Sequence, residues 1–195
     1  MSADAQAIRQ SLRQQMRRYR QSMLPDAQQQ AATALALNVT AASITAQSQV
    51  IAVYFTNDGE IDTGPLIQAL WQQGKQLVLP VLHLFQPGYL YFQRYTPTTA
   101  LRSNRFGIAE PVPDVGKLVP LAEIDLVLMP LVAFDKAGHR LGMGGGFYDR
   151  TLANCPPTTA LMGLAHQGQQ LAEVPSAAWD VPLPFVATDQ QIWQF

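Results

Sequence analysis

The stretch FDKAGHRLGMGGGFYD, residues 134–149, joins a strand pattern to a helix pattern and is the most informative part of this chain. The apolar run before it, residues 124–134, predicts a buried strand, and a helix is predicted to begin near Phe147. Four glycines lie between the two patterns: Gly142, Gly144, Gly145 and Gly146. Glycines let a ligand approach bare backbone N–H groups, and a helix N-terminus adds further free donors. The stretch therefore predicts a site that suits an anionic phosphate.

The glycine loop differs from the two commonest phosphate loops. It does not end in Gly-Lys-Ser/Thr, and Phe147 stands where the last glycine of G-x-G-x-x-G would be. Glycines alone are also typical of a tight connection between a strand and a helix. Arg140 before the loop and Asp149 behind it favour a site, because a cation and a carboxylate suit a phosphate with Mg²⁺. The pattern favours a nucleotide.

Length and composition predict one ordinary globular domain. The chain has 195 residues, of which 48% are hydrophobic, so residues 1–195 can bury one core. A net charge of −1 provides no field that would attract nucleic acid or a membrane surface. The single cysteine, Cys155, excludes an internal disulfide and a cysteine-based zinc cluster. No apolar run reaches the ~18 residues of a membrane span and no signal-peptide core is present, so we expect a cytoplasmic protein.

Arginines dominate the first predicted helix. Arg9, Arg13 and Arg17 follow one another at steps of four residues, so a helix places them in one basic stripe. No carboxylate lies between these arginines, so we expect them to bind anions that lie outside this helix. Arg18 and Arg20 are predicted to lie on a solvated face. An organelle transit peptide has a similar composition, but the helical pattern continues into the fold and disfavours that interpretation.

Alternating strand and helix patterns in the rest of the chain predict an α/β fold. Asp26 is the predicted N-cap of a second helix that runs to about Ala42. The remaining strands are predicted at residues 49–56, 76–82, 89–95, 159–165 and 185–188, and further helices at 65–73 and 148–154. Residues 96–120 are rich in proline and predict a long surface connection.

An acidic turn, residues 57–63, follows the first of these predicted strands. In open α/β sheets ligands bind beyond the carboxyl ends of the strands, so this turn is expected at the ligand edge. Ordinary turn chemistry explains its Asp-Gly pair, and Asp62 or Thr63 can be a helix cap. For Glu60, a ligand contact and a plain turn position remain equally open.

Three further features could contribute to a site. Asp180 could complete a metal site together with Asp149. His166 ends a predicted strand, where a lone histidine is usually structural. Residues 104–111 mix aromatic, cationic and acidic side chains as pocket linings do, although plain packing explains most of that segment.

Taken together, these motifs resemble a known family. The stretch RLGMGGGFYDR, preceded by LVAFDKAGH, is similar to the signature of 5-formyltetrahydrofolate cyclo-ligases, also called methenyltetrahydrofolate synthetases. The resemblance covers nearly the whole chain, through R-x-x-L-R at residues 9–13, F-x-x-x-x-E-x-D-T at 55–63, N-R-F-G-I-x-E-P at 104–111 and W-D-V-P-L at 179–183. It implies a single-domain, mostly parallel sheet flanked by helices. The implied reaction is ATP-dependent closure of 5-formyltetrahydrofolate to 5,10-methenyltetrahydrofolate, with Mg²⁺.

The resemblance also implies site residues. ATP would contact Arg9, Arg13, Arg140, Leu141, Gly142, Met143, Gly144, Gly145, Gly146, Phe147 and Tyr148. Folate would contact Phe55, Glu60, Met143, Gly144, Gly145, Gly146 and Phe147, and Mg²⁺ would be held by Asp149 and Asp180. Many members have lysine where this chain has Arg9, so a planar fork replaces a point charge. Members often carry an aromatic residue at Met143. We expect no protein nucleophile, no nucleic-acid or membrane partner, and a monomer.

Two other functional classes remain open from the residues. A non-catalytic module for nucleotide or folate would bind ATP tightly and turn it over weakly. A sugar-phosphate or CoA-ester enzyme on a similar sheet would be active without ATP. A nucleic-acid role for the arginine-rich helix is disfavoured by the nearly neutral remainder of the chain.

Overall fold

The computed structural model describes residues 3–195, which form five α-helices and twelve strands. The helices are α1 (Ala3–Ser22), α2 (Pro25–Ala41), α3 (Ser43–Gln47), α4 (Gly64–Gln72) and α5 (Phe147–Leu152). The first six strands are β1 (Val50–Ala52), β2 (Gln76–Leu82), β3 (Leu90–Tyr95), β4 (Leu101–Ser103), β5 (Ala109–Pro111) and β6 (Leu118–Val119). The last six are β7 (Leu126–Pro130), β8 (Ala133–Phe134), β9 (Arg140–Leu141), β10 (Ala160–Leu164), β11 (Phe185–Ala187) and β12 (Ile192–Gln194).

Eight of the strands form one sheet in the order β12-β11-β10-β7-β1-β2-β3-β6. The five strands from β11 to β2 run parallel, and antiparallel strands close both edges. Two separate hairpins, β4-β5 and β8-β9, lie outside this sheet. The prediction of a mostly parallel α/β sheet flanked by helices is confirmed.

The sheet is built outward from its centre in two directions. From β1 it adds β2 on one side, and from β7 it adds β10 and β11 on the other. β1 and β7 are neighbours, with Ile51 paired to Leu126 and Ala52 to Val127. This is a topological switch point, where the loops after adjacent strands separate and open a crevice for a ligand. The acidic turn follows β1, and the glycine loop lies beyond β7.

Both faces of the central sheet are buried, as continuous apolar strands require. On one face, α2 and α4 cover alternate strand residues, among them Ile51, Leu77, Leu79, Leu126 and Leu128. On the other face, the intervening residues Ala52, Val78, Val127 and Met129 pack with Leu152 of α5. The sheet is therefore a rigid support for the loops at its carboxyl edge.

The apolar run at residues 124–134 is not a single strand as predicted. β7 ends at Pro130, and the chain then makes the β8-β9 hairpin before it reaches the glycine loop. The carboxylate of Asp135 closes that hairpin, because its Oδ1 accepts hydrogen bonds from the N–H groups of Ala137 and His139. The glycine loop thus starts from a hairpin rather than from the sheet itself.

Two further predictions were also wrong, one about a connection and one about the order of the last strands. Residues 96–120 hold the β4-β5 hairpin and the edge strand β6, where one long connection was predicted. Glu110 anchors the hairpin: it is 2% exposed and accepts from Arg102 Nη2 at 2.8 Å and from the N–H of Leu82 at 3.1 Å. The strand at 185–188 is not the last one, since β12 pairs antiparallel with it.

The helices begin and end close to the predicted positions, with one exception at a cap. Leu24, not Asp26, is the N-cap of α2, because Pro25 at the first helical position already fixes the helical φ. Asp26 lies in the first turn. Within residues 3–195, no helix has both the length and the apolar character that crossing a membrane requires.

Candidate active site

A cavity of about 950 Å³ lies against the glycine loop. Its polar lining comes from α1, the glycine loop and the segment before β11, and includes Arg9, Arg13, Gly142, Gly144, Gly146, Asp149, Arg150 and Asp180. Tyr89, Asn154 and Trp179 complete much of the remaining wall. The structure therefore brings seven of the predicted ATP and metal residues, from three distant parts of the chain, into one cavity.

The backbone of the glycine loop needs glycine at two positions. Gly144 has φ of 97° and Gly146 has φ of 67°, a left-handed conformation that other residues adopt only with strain. Gly146 is the N-cap of α5, which begins at Phe147 as predicted. Since α5 has only six residues, its dipole adds little. The exposed backbone N–H groups of the loop are the main feature that suits an anion.

Arg13 binds the loop directly. Its Nε donates a hydrogen bond to the carbonyl oxygen of Gly142 at 2.9 Å. A Cβ on Gly144 would lie 3.4 Å from the Cζ of Arg13, so the guanidinium and the bare loop are in van der Waals contact. Burial, and then the charge of Arg9, lower the pKa of Arg13. The remaining guanidinium N–H groups are positioned beside the loop where a phosphate would be bound.

Arg9 and Asp180 form a buried ion pair in the same cavity. Nη1 of Arg9 lies 2.6 Å from Oδ2 of Asp180, and Nη2 lies 2.9 Å from Oδ1. Nη1 also donates to the carbonyl oxygen of Pro175 at 2.7 Å, and the N–H of Ala177 donates to Oδ2 of Asp180 at 2.8 Å. Both carboxylate oxygens of Asp180 are therefore occupied by protein donors.

Asp149 differs from Asp180 in how its oxygens are used. Within residues 3–195, its two hydrogen bonds, from Nη2 of Arg140 and from the N–H of Val181, are both accepted by Oδ1. Burial lowers the pKa of Arg140, and the charges of Asp149 and Asp180 oppose that shift. Oδ2 of Asp149 remains available to a cation.

The residues present fit a Mg²⁺ ion that is shared with a phosphate. Residues 3–195 contain no group of three or more His, Cys, Asp or Glu side chains that could hold a metal on their own. Mg²⁺ ordinarily takes one or two carboxylates and completes its octahedron with water and phosphate oxygens. Asp149 meets that requirement through Oδ2, whereas Asp180 would first have to release Arg9.

Glu60 lies in a tight turn after β1. Asp58 has φ of 53° and Gly59 has φ of 71°, which is the left-handed conformation at two successive residues. Glu60 is 8% exposed, and its Oε2 accepts from the N–H of Asn57 at 3.1 Å. Burial raises the pKa of Glu60 to about 7, against the opposing effects of the Asn57 N–H and of Arg20. A carboxyl group with such a shifted pKa marks a candidate functional residue.

Neighbouring residues of this turn have structural roles. Asp62 Oδ1 accepts from the N–H of Gly64 at 2.9 Å at the start of α4. Thr63 is the N-cap residue, but its hydroxyl donates to the carbonyl oxygen of Tyr54 at 2.6 Å instead of capping the helix. The structural alternative thus accounts for Asp62 and Thr63, whereas for Glu60 it accounts for the bond from Asn57 but not for Oε1.

Aromatic residues connect the predicted folate positions to the fold. Phe55 is partly buried and meets the ring of Tyr95 edge-on, with centroids 5.3 Å apart. Phe147 meets Phe106 in the same manner at 5.6 Å, so the tip of the β4-β5 hairpin covers the glycine loop. Met143 is 46% exposed on that loop.

Arg20 contradicts the prediction that it lies on a solvated face. Its side chain is 0% exposed, whereas Arg18 is exposed as predicted. Arg20 follows Arg9 by eleven residues, which is about three helical turns, so both arginines face the protein. Arg18 follows Arg9 by nine residues, or about two and a half turns, and points the opposite way. Counting turns from Arg9 would have found Arg20.

Arg150 is another site residue that the sequence did not single out. Its side chain donates to the carbonyl oxygens of Gly145 and Gly88, the latter at 2.9 Å. It thereby holds the glycine loop against the segment before β3. Its position one residue after Asp149, within the motif, was the available signal.

Fold and site together define an α/β protein with a candidate enzyme site at the switch point of its sheet. Arginines and carboxylates surround a bare glycine loop on one side of the switch point, and a buried carboxyl group lies on the other. The profile of the 5-formyltetrahydrofolate cyclo-ligase family matches residues 5–189. This chain belongs to that family, which confirms the resemblance found in the motifs. The family consists of ligases of folate metabolism that use ATP as co-substrate.

Individual relatives match the chain over most of their length. The 5-formyltetrahydrofolate cyclo-ligase of Haemophilus influenzae is 47% identical over 176 residues, which are 90% of this chain and 94% of the relative. That of Escherichia coli K12 is 42% identical over 181 residues, which are 92% of this chain and 100% of the relative. The NMR structure of Aquifex aeolicus 5,10-methenyltetrahydrofolate synthetase is similar at a TM-score of 0.82 and 28% identity, over 96% of this chain and 92% of that one. The Mycoplasma pneumoniae synthetase shares the fold at a TM-score of 0.74 and 21% identity, over 93% of this chain and 98% of that one.

Proposed function

We propose that this chain cyclises 5-formyltetrahydrofolate to 5,10-methenyltetrahydrofolate with ATP at the switch point between β1 and β7. The observation that carries the proposal is the pair of sites at this edge of the sheet. The glycine loop with its arginines suits ATP, and the turn with Glu60 suits the pterin. The loops after two neighbouring parallel strands hold both substrates close enough to react.

The reaction needs the formyl group to become a better electrophile. Amide resonance makes the formyl carbon unreactive, so its oxygen first attacks the γ-phosphorus of ATP and ADP leaves. N10 of the same folate then attacks the formyl carbon, N10 loses its proton, and the C–O bond breaks to release inorganic phosphate. Phosphoryl transfer depends on positioning and charge neutralisation more than on a protein nucleophile. The lone Cys155, which is only partly exposed, has no part in these steps.

Arginines and bare backbone bind the phosphates in this proposal. Arg13 lies on the loop already, while Arg9 and Arg140 contact carboxylates that line the same cavity. The N–H groups of residues 140–148 supply the rest of the cradle, and Tyr148 closes it at the start of α5. Hydrogen bonds between ionised groups are roughly twice as strong as neutral ones, so each arginine contributes to the affinity for ATP.

Asp149 is the proposed Mg²⁺ ligand, through Oδ2, and Asp180 is a less suitable second one because Arg9 occupies both of its oxygens. When bound, Mg²⁺ offsets the charge of the phosphate oxygens during transfer. Asp180 has a role without the metal, since it fixes the guanidinium of Arg9 at the cavity wall.

Glu60 is the proposed anchor of the pterin ring. An ionised carboxylate accepts two parallel hydrogen bonds, and the pterin presents two adjacent N–H donors, at N3 and the 2-amino group. Phe55, Met143 and the loop residues up to Phe147 would supply the apolar contacts of the folate. Met143 in place of an aromatic residue gives a smaller and more flexible contact.

The test follows the absorbance of methenyltetrahydrofolate, with and without ATP and Mg²⁺. We expect product only when ATP is present, together with stoichiometric phosphate. Product without ATP would favour the ATP-independent enzyme class, and tight ATP binding without product would favour a binding module. Glu60→Gln should raise KM for folate far more than KM for ATP, and equal effects would return Glu60 to a turn role.

Three coarser expectations belong to the same proposal. We propose that the chain acts as a monomer. Sedimentation of the active protein as a single chain would support this. We also propose that it works in the cytoplasm. We propose in addition that it binds no nucleic acid, because its net charge of −1 provides no attraction for a polyanion.

A further inference from the structure

Arg20 lies beside the proposed pterin anchor. It belongs to the last turn of α1, and its side chain is 0% exposed. Nη2 donates to Oδ2 of Asp58 at 3.1 Å, and Nη1 lies 4.0 Å from Oε1 of Glu60. Within residues 3–195, Nε and Nη1 of Arg20 have no hydrogen-bond partner. A buried cation with unpartnered donors is unfavourable, so a role beyond packing has to be sought.

The turn that carries Glu60 is pressed against this arginine. A Cβ on Gly59 would lie 3.1 Å from the Cβ of Arg20, which is closer than ordinary contact. Asp58 adopts a positive φ, and it is the only non-glycine residue in the described part of the chain that does so. Its carboxylate also accepts from Arg17 Nε at 2.6 Å. Backbone strain of this kind persists where the surroundings impose it, and it often marks a functional constraint.

The other groups around Glu60 carry no positive charge near neutral pH. Tyr54 and Tyr148 interact with Glu60, and burial raises the pKa of both phenols, so they stay neutral. His166 lies near Arg20, and burial lowers the pKa of its imidazole. Asp58 adds a negative charge. Arg20 is therefore the cation that faces Glu60 among the described residues of these elements.

We propose that Arg20 is a positioning residue for folate, which keeps Glu60 ionised and so able to accept both pterin N–H groups. This inference rests on the proposed role of Glu60. Arg20 interacts with both Asp58 and Glu60. Asp58 therefore disfavours the ionisation of Glu60 in two ways. It adds a like charge, and its Oδ2 accepts from Nη2 of Arg20, so the guanidinium whose Nη1 faces Glu60 is shared with a second carboxylate.

The arrangement predicts opposite effects from two substitutions. The pKa of Glu60, raised to about 7 by burial, implies that KM for folate rises as the pH falls below about 7. Arg20→Gln removes the opposing cation and should move this rise upward by about one pH unit, as expected for a charge within ~4–6 Å. About a tenth of Glu60 would then be ionised at pH 7 instead of half, which raises KM about fivefold. Asp58→Asn removes a like charge, so the rise of KM for folate should move to lower pH.

The variants are chosen so that a loss of folded protein cannot be mistaken for the predicted change in KM. Asparagine tolerates the left-handed conformation of Asp58, so Asp58→Asn keeps the turn. Arg17→Gln is the matched control, since Arg17 also binds Asp58 but is exposed and does not contact Glu60. Arg20→Lys keeps the charge and should restore most of the wild-type pH profile. Measurements use saturating ATP between pH 5.5 and pH 9, with KM for folate as the readout.

Opposite shifts for Arg20→Gln and Asp58→Asn, with none for Arg17→Gln, would support the proposal. If the pH profiles of Arg20→Gln and Asp58→Asn are both the same as that of the wild type, the proposal is overturned. If Arg20→Gln does not fold, Asp58→Asn decides alone: a downward shift supports the role and an unchanged or upward one overturns it. Wild-type protein that fails to cyclise folate contradicts the proposed function instead, and a pH dependence that survives Glu60→Gln contradicts only the role of Glu60.

Discussion

Arg9 holds both carboxylate oxygens of Asp180, at 2.6 and 2.9 Å, although 171 residues separate the two in sequence. The pair joins the first helix to the segment before β11 across the wall of the cavity. Both hydrogen bonds that Asp149 accepts from the described residues, from Arg140 and Val181, fall by contrast on Oδ1. Two carboxylates that look alike in the sequence are therefore suited to different tasks, and this difference can be tested.

Asp149→Asn and Asp180→Asn should affect different constants. We expect Asp149→Asn to lower kcat on the order of a hundredfold and to abolish the effect of Mg²⁺ on ATP affinity, since the metal ligand is lost. Asp180→Asn should raise KM for ATP while the Mg²⁺ effect remains, because it releases Arg9. Calorimetric titration of ATP with and without Mg²⁺ separates the two. Loss of the Mg²⁺ effect in Asp180→Asn would return Asp180 to the metal site.

Arg13→Ala should raise KM for ATP roughly tenfold to a hundredfold. A hydrogen bond to a charged group contributes about 1.5–3 kcal/mol, and each ~1.4 kcal/mol is one decade. Arg18→Ala is the control, because Arg18 belongs to the same helix but is exposed on its opposite face. Thermal unfolding of both variants must come first, since an arginine stem also packs. Equal, small effects on KM would limit Arg13 to a structural contact with the glycine loop.

Gly144→Ala should impair ATP use beyond its effect on stability. Alanine is strained at φ of 97°, and the new methyl group would fill the space between the loop and the guanidinium of Arg13, 3.4 Å away. Gly74→Ala is the matched control: φ is 73° there as well, but the glycine follows α4 and a Cβ would meet nothing within 4 Å. Both variants should lower the unfolding midpoint similarly, and only Gly144→Ala should raise KM for ATP. The same KM in both would argue against phosphate binding by the loop.

Asp135→Asn should destabilise the hairpin that carries the glycine loop. Oδ2 of Asp135 accepts from the N–H of Val174 at 2.9 Å and lies 3.0 Å from Nδ1 of His139, and an amide nitrogen cannot replace it. We expect a loss of about 1–3 kcal/mol in the free energy of unfolding at pH 7. Asp114→Asn, in an exposed turn, should leave the unfolding midpoint nearly unchanged.

The pH dependence of this effect has a definite sign. Burial alone would raise the pKa of Asp135, but hydrogen bonds from Val174, His139 and Ala137 outweigh it and lower the pKa below the ordinary value. The stabilisation is therefore present above the unfolded pKa of about 3.9 and is lost as the pH falls through the lowered folded value. Urea unfolding of wild type and Asp135→Asn should converge at acid pH. A constant difference down to pH 2 would contradict this explanation.

Local patterns predicted the elements whose cause is local. The helical start at Phe147, the helix α4 and the strand β2 lie where periodicity and glycines placed them. The glycine motif carried most of the candidate ATP residues, and together with four shorter motifs it carried the family resemblance. Edge strands such as β12 and short hairpins such as β8-β9 were not found, because their pairing depends on partners elsewhere in the fold rather than on their own periodicity.

Residue patterns were sufficient for the α/β class, the glycine loop and most of the charged residues proposed to bind ATP and folate. Which charges meet became known from the folded chain. There Arg9 pairs with Asp180, both hydrogen bonds that Asp149 accepts from the described residues fall on Oδ1, and Arg20 is buried beside Glu60. This division arises because a residue's propensity depends on its neighbours in the chain. Ion pairing and pKa depend instead on distance and burial, and these exist only once residues far apart in sequence have packed together.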